Sequence, residues 1–519
     1  MENKYHVHYE YITFHNAEFF TVVCLPDTEG SFPTVVARSP YGAISWTKEE
    51  ILAERLAYFK SFLDNGYAVV YQDCRGCGQS TGDCIPYIHE REDGLFLQDW
   101  IRKQPFYNGE MYLWGRSYGA TVHFVTAPFA EDIKGAVLEV QDTQRYNCNY
   151  RNGFYKIGLH GNWYVGMYKK KTMPKKDYTS DRYNMLPLSK FSETVFGEKV
   201  DSFDAILQHP KKNDPFWKTR FGGGEADHAI HHANIPILLV TSFYDLYTDG
   251  VFDVWEDLDP QTKAQCALAV NPFNHGGKSD GQPIAFPMGE MDSAFPDYAA
   301  CWFNAVRGGG EAPFPKGKVT YYNSFENAWR CDDFETPATG MTIPLGAGEV
   351  TYRYDPNDPA TFKGGLSGNG GGTAWQDPPH QRDDIITLYS PVFTEDTLIK
   401  GKMTAKLKVR SSCEDTCFYI RISLCKAEGD YGLRDDINQI SNFCESYVPG
   451  SDMVMDFTFD RHAFMIAKGE KLRIDISSSA FPHYVRHTNN KGLFSMQETT
   501  QIAENTVILE DSSLYLPIV

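Results

Sequence analysis

Met111-Tyr112-Leu113-Trp114-Gly115-Arg116-Ser117-Tyr118-Gly119-Ala120 is the stretch that decides the fold. Four residues with strand character run into a glycine, a serine follows two positions later, and another glycine stands two beyond it. Such a turn lets a parallel strand stop abruptly, lifts a hydroxyl above the strand end, and passes the chain to a helix, expected here over Ala120 to Ala127. The five-residue core Gly115-Arg116-Ser117-Tyr118-Gly119 is a weak signal alone, because glycine and serine are common. The strand ahead of it and the small residues around it give it weight.

Working outward, strand and helix patterns alternate. Thr34 to Arg38 reads as a strand. Ile51 to Asn65 reads as a helix, with Ile51, Leu52, Leu56, Phe59, Phe62 and Leu63 at helical spacing and Gly66 as its stop. Tyr67 to Gln72 reads as a short buried strand, followed by the glycine-dense turn Asp73 to Gly78, and Glu90 to Lys103 as a second helix. Downstream, Ile235 to Thr241 and Cys266 to Val270 read as buried strands ending at Ser242-Phe243-Tyr244-Asp245 and Asn271-Pro272-Phe273-Asn274-His275. This rhythm predicts a parallel α/β sheet. It is interrupted from about Arg145 to Arg220 by an aromatic, lysine-rich, irregular region that reads as an inserted helical cap. After Gly308 to Pro313, period-two runs such as Met403 to Val409 and Lys471 to Ile476 predict an all-β sandwich or jelly roll. The expected organisation is catalytic residues 1–144 and 231–312, a cap over 145–230, and a β domain over 316–519.

Length and charge narrow the function. A chain of 519 residues is too long for one ordinary core. A net charge of −19 argues against a nucleic-acid partner, which needs a basic surface. The one basic run, Lys169-Lys170-Lys171 with Lys175-Lys176, reads as a solvated face. No window approaches 18 apolar residues, and the first residues lack the pattern of an export signal, so the expectation is a cytoplasmic protein with no membrane span. Twelve cysteines are too few for a disulfide scaffold. Cys74, Cys77 and Cys84 cluster without a second half at zinc spacing, so no metal and no cofactor are expected. A homo-oligomer is left open.

A serine hydroxyl needs a histidine base, and the histidine needs a carboxylate to fix its tautomer. Asp245 and His275 follow Ser117 in the order Ser, Asp, His, and each terminates a predicted strand, so all three should emerge on one sheet edge. Asp142, Asp249 and Asp253 compete for the acid role, and His228, His231 and His232 precede their strand. An oxyanion hole needs two donors. One is the Tyr118 N–H; the other should come from the loop Arg38-Ser39-Pro40-Tyr41-Gly42.

These motifs together resemble the cocaine-esterase-like group of α/β-hydrolases, which also holds X-Pro dipeptidyl-peptidases, α-amino-acid ester hydrolases and glutaryl-cephalosporin acylases. The resemblance rests on Ser39-Pro40-Tyr41-Gly42, Asp73 to Ser80, the elbow at Ser117, Phe243-Tyr244-Asp245, Asn271 to Gly276, Asn327-Ala328-Trp329-Arg330, and Ser477 to Pro482. It implies an α/β-hydrolase domain with an inserted helical cap and a C-terminal jelly roll. It implies Ser117, Asp245 and His275 as the triad, and the Tyr41 hydroxyl as second oxyanion donor beside Tyr118. It also implies a small ester, amide or short peptide as substrate. Two departures bear on specificity. Ser242-Phe243 replaces the usual Gly-Trp, and Tyr247 and Thr248 stand where amino-acid ester hydrolases carry the acidic residues that bind an ammonium group. In the cap, Trp163, Tyr164, Met167 and Tyr168 are the candidate pocket residues. A catalytically inactive binding protein is the reading from another class, and the intact Ser-Asp-His order opposes it.

Overall fold

The computed structural model describes residues 5–171, 183–224, 226, 233–275, 286–287, 297–365 and 372–519. Its centre is a sheet of ten strands: β1 (Tyr5–Phe14), β2 (Ala17–Pro26), β3 (Phe32–Ser39), β4 (Ala68–Asp73), β5 (Tyr107–Arg116), β6 (Ile133–Glu139), β7 (Ile237–Tyr244), β8 (Ala267–Asn274), β9 (Val319–Asn323) and β10 (Ala328–Asp332), in the order β1-β2-β4-β3-β5-β6-β7-β8-β9-β10. From β4 to β9 all neighbours are parallel, and their runs of Val, Leu and Ala are buried on both faces, as a covered parallel sheet requires. The hairpin β1–β2 turns at His15, which takes a positive φ of 53°.

Four helices follow from the expected alternation. The helix expected over Ile51 to Asn65 is divided at Phe59 into α1 (Lys48–Tyr58) and α2 (Lys60–Asp64). Thr47 and Glu50 form a capping box that starts α1, ahead of the apolar stripe that suggested a later beginning. Helix α3 (Glu90–Ile101) packs beside α4 (Tyr118–Phe124), which starts directly after Ser117.

The inserted region is built from short helices, among them Arg145–Asn149, Ile157–Gly161, Asn162–Met167, Phe191–Phe196 and Asp201–Gln208. Its aromatic residues form one core with Cys417, Tyr419, Ile437, Phe481 and Tyr484 of the C-terminal domain. The cap therefore rests on that domain as much as on the sheet. Arg151 joins the two, donating to Asp436 at 2.7 Å and also pairing with Asp460.

The C-terminal domain is a β-sandwich of antiparallel sheets. One combines Gly340–Pro344, Glu349–Tyr354, Thr404–Ser411, Met453–Thr458 and Ala503–Pro517; the other combines Ile386–Tyr389, Cys417–Lys426, Gly429–Gln439 and Lys471–Ser477. Leu407, Val409, Ile420, Ile474 and Val507 from the two sheets share one buried core. The sequence placed everything after residue 316 in this domain. Instead β9 and β10 extend the central sheet, because β9 pairs in parallel with β8 and takes β10 with it.

Candidate active site

Strand β5 carries Ser117 to the C-terminal edge of the sheet. The serine has φ 54° and ψ −128°, a conformation L-residues adopt only when the surroundings enforce it. Gly115 explains how the turn closes: a Cβ there would stand 2.0 Å from the Gly119 carbonyl oxygen. The Ser117 N–H donates to the Glu139 carbonyl at 2.8 Å, which ties the turn to β6. Beneath it, the Tyr118 hydroxyl donates to Glu90 at 2.8 Å, and Glu90 also accepts from Arg38 at 2.9 Å. This buried network on α3 fixes the turn. Glu90 carries no local sequence signal beyond its place at a helix start.

Asp245 and His275 each stand one residue past a strand, β7 and β8, and both reach Ser117. His275 Nε2 lies 2.8 Å from Ser117 Oγ, and His275 Nδ1 lies 2.5 Å from Asp245 Oδ2. Asp245 is fully buried, and its other oxygen accepts the Tyr247 N–H at 2.7 Å. A carboxylate so held orients the imidazole with Nδ1 protonated and leaves Nε2 free to accept from the serine. Arg116 donates to the His275 carbonyl and to Glu139, pinning the histidine loop to β6.

The competing acids are engaged elsewhere. Asp249 pairs with Lys402 at 2.7 Å and with Arg461, Asp253 faces Arg461, and Asp142 accepts from Asn147 at 2.8 Å. Burial pushes the Asp142 carboxyl up to about 7. His228, His231 and His232 lie outside the described residues, as do Lys175 and Lys176.

Tyr41 sits beside the Ser117 side chain, in the loop after β3. Its residue is 46% exposed, yet the hydroxyl end is enclosed, and burial pushes the phenol above its ordinary value. The Trp163 indole N–H donates to that hydroxyl at 3.1 Å. The phenol oxygen is thereby occupied as an acceptor, and its own proton can turn toward a charge forming near Ser117. As the first residue of α4, Tyr118 has an N–H without an intrahelical acceptor, so it too can face that charge.

These groups open into a cavity of about 690 Å³ lined on the cap side by Tyr87, His160, Trp163, Leu246 and Tyr247. Of the four cap residues chosen from sequence, Trp163 reaches the cavity. Tyr164 turns instead into the cap core, bonded to Ser202 at 2.6 Å and packed on Phe203. Met167 packs on Cys74, Cys77, Cys84 and Tyr118. Tyr168 stacks on Tyr164 and packs against Phe196. Neighbours on a helix point about 100° apart, so Tyr164 enters the cap core while Trp163 packs with Tyr87, Tyr118 and His160 at the cavity. His160, one turn before Tyr164, was missed. It is buried, both ring nitrogens lack partners among the described residues, and burial holds it well below the usual imidazole value. Its wall is set from the C-terminal domain, since the Gly158 N–H donates to the Pro482 carbonyl at 2.9 Å and a Cβ on Gly158 would stand 2.5 Å from that oxygen.

The three clustered cysteines are buried free thiols. Among the described residues, no group of three or more His, Cys, Asp or Glu side chains is placed to hold a metal ion. No described helix is long and apolar enough to cross a membrane.

The strand order, the turn at Ser117 and the sandwich behind the cap define an α/β-hydrolase with a C-terminal β domain. Residues 18–277 match the model of the X-Pro dipeptidyl-peptidase (S15 family), and residues 317–513 match that of the X-Pro dipeptidyl-peptidase C-terminal non-catalytic domain. The chain belongs to this S15 family of hydrolases, in which cocaine-esterase-like and X-Pro dipeptidyl-peptidase-like proteins meet. A cocaine esterase from Rhodococcus sp. (strain MB1 Bresler) is 23% identical over 92% of this chain and 91% of its own. An aminopeptidase from a marine sediment archaeon, Thaumarchaeota archaeon, superposes with a TM-score of 0.81 at 16% identity, covering 99% of this chain and 96% of its own. An α-amino acid ester hydrolase gives 0.80 at 17% identity, over 100% and 97%. At such identities the superpositions speak for the fold.

Proposed function

We propose that the protein is a serine hydrolase that cleaves an ester or amide through an acyl-enzyme on Ser117. The observation that carries this is the continuous Ser117–His275–Asp245 relay, with spacings of 2.8 and 2.5 Å at the edge of the sheet. Ser117 Oγ attacks the substrate carbonyl as His275 Nε2 takes its proton. Asp245 stabilises the resulting imidazolium, and the Tyr41 hydroxyl and Tyr118 N–H bind the oxyanion. His275 then protonates the leaving group. In the second half a water gives its proton to His275 and attacks the acyl carbon, releasing the acid and restoring Ser117. No step calls for a metal or organic cofactor.

A simple ester or amide fits the cavity better than an X-Pro peptide. Clamping a peptide's free ammonium group calls for carboxylates, and among the described lining residues none is Asp or Glu. All twelve cysteines are free thiols, which suits a reducing compartment such as the cytoplasm. The test is a panel of 4-nitrophenyl esters, an acyl anilide and Ala-Pro-4-nitroanilide on wild type and Ser117→Ala. We expect ester turnover that Ser117→Ala loses by at least about 1,000-fold, and fluorophosphonate labelling at Ser117 alone. Labelling of a different serine, or faster turnover of the Ala-Pro anilide than of any ester, overturns the proposal.

A further inference from the structure

Side chains, not the backbone, hold the loop that carries Tyr41. Tyr41 to Trp46 belong to no helix or strand, and among the described residues no backbone–backbone hydrogen bond reaches them. The Tyr41 N–H donates to the Ser39 hydroxyl at 3.1 Å, and Lys170 donates to the Pro40 carbonyl at 3.4 Å. Beyond Tyr41, the carbonyls of Ala43 and Ile44 both accept from one side chain, the Gln79 carboxamide, at 2.9 and 3.4 Å. A hydroxyl that has to meet an oxyanion therefore stands on a segment anchored downstream through Gln79.

Gln79 is itself fixed at both ends. Its backbone N–H donates to Asp73 Oδ2 at 2.8 Å. Asp73 is buried, and its other oxygen accepts at 3.0 Å from the Tyr71 hydroxyl, which in turn accepts from Arg55 at 3.0 Å. The same carboxylate lies against both loops: a Cβ on Gly42 would stand 2.2 Å from Oδ1, and one on Gly78 2.1 Å from Oδ2. At the far end, Gln79 Oε1 accepts from Lys48 Nζ at 2.9 Å, and Lys48 lies 4.4 Å over the Phe20 ring. An ammonium group has only donors, so it selects the oxygen end of the amide and turns the NH2 toward the two carbonyls. The cation also polarises the amide, which strengthens its N–H groups as donors.

We propose that Gln79 is a positioning residue for the reaction: its carboxamide holds Ala43 and Ile44 so that the Tyr41 hydroxyl stays turned toward the oxyanion at Ser117. Trp163 steadies that hydroxyl from the cap side at 3.1 Å, and Gln79 steadies the loop from the side of the sheet. Gln79 is not among the described residues that line the cavity, so its effect on the chemistry passes through the loop. The inference rests on the oxyanion role proposed for Tyr41.

A double-mutant cycle on the full chain tests it, read as kcat and KM for 4-nitrophenyl butyrate with active sites titrated by a fluorophosphonate. Gln79→Ala should lower kcat by about 10-fold and leave KM within about 2-fold of wild type, since a displaced group costs turnover rather than binding. Gln79→Glu keeps the length of the side chain and its bond to Lys48 but sets an oxygen against the Ala43 carbonyl. It should lose as much, and it carries the test if Gln79→Ala folds poorly. In the Tyr41→Phe background no hydroxyl is left to position, so either substitution should cost less than about 2-fold more. Losses below about 3-fold from both variants in the wild-type background, or a further loss above about 2-fold in the Tyr41→Phe background, overturn the inference and leave the serine mechanism standing. Tyr41→Phe within about 3-fold of wild type removes the oxyanion role and the inference with it. Ser117→Ala with wild-type turnover removes the whole mechanism.

Discussion

Tyr41→Phe isolates one hydrogen bond in the proposed transition state. The ring stays and only the hydroxyl goes, so packing in the loop after β3 is preserved. In the resting enzyme that hydroxyl accepts from Trp163 at 3.1 Å, and its own proton is kept by a phenol that burial holds above its ordinary value. Removing one oxyanion donor from a preorganised site costs about 100- to 1,000-fold in kcat, roughly 2.7–4 kcal/mol. The hydroxyl end of Tyr41 is enclosed, so little water stands ready to replace the lost donor, and the expected fall is at least about 100-fold. KM should move little, because the bond forms as the oxyanion forms. Trp163→Phe leaves the donor and removes only its orienting partner, so its kcat should fall by about 10-fold, the scale of one modest hydrogen bond. The assay is steady-state hydrolysis of 4-nitrophenyl butyrate, normalised by fluorophosphonate titration of active sites, with melting temperatures recorded beside it. A Tyr41→Phe enzyme whose kcat stays within about 3-fold of wild type would refute the oxyanion role assigned to the hydroxyl.

Three further outcomes follow from burial and close contact. Asp142, pushed from its ordinary 3.8 to about 7, stays protonated in the folded chain while the unfolded chain has already ionised. The Asp142 contribution to stability should therefore fall as the pH rises from about 4 to about 7. Asp142→Asn should gain on wild type in urea melts at pH 8 and not at pH 4; equal gains at both values sink the assignment. Arg151→Ala leaves Asp436 and Asp460 buried without their cation, and calorimetry should report about 3–5 kcal/mol of lost stability; a change below about 1 kcal/mol counts against the cap resting on the C-terminal domain. Gly115→Ala drives a methyl group to within 2.0 Å of the Gly119 oxygen, and a loss of about 3 kcal/mol or insoluble protein is expected. A stable, active Gly115→Ala enzyme would mean that the turn is looser than described.

What could be read from sequence was whatever periodicity and strand-end chemistry encode. Ser117, Asp245 and His275 each follow a buried run, and residues just past parallel strand ends share an edge, so their meeting was legible before any coordinates. Other features were not. The division of the first helix at Phe59 leaves the apolar spacing unchanged, so the pattern cannot reveal it. The edge strands β9 and β10 look like any period-two strand, and only pairing with β8 assigns them to the central sheet. In the cap, four neighbouring aromatic and Met residues were equally eligible for the pocket. Contacts with Phe203 and Phe196, far along the chain, then drew Tyr164 and Tyr168 into the cap core and left Trp163 at the cavity. Arg55 and Arg116 gave no signal, since a lone arginine on a helix or strand is usually a surface residue.

The contact between Gly158 and Pro482 has a consequence for heredity as well as for structure. More than three hundred residues separate the two positions, yet a substitution at either one is judged at the same place, on the wall that carries His160. The cap and the β domain are therefore poor candidates for independent exchange by recombination. A chimera that imports a foreign β domain imports a foreign wall with it, so laboratory evolution toward new substrates has reason to sample 157–163 and 480–485 as one library.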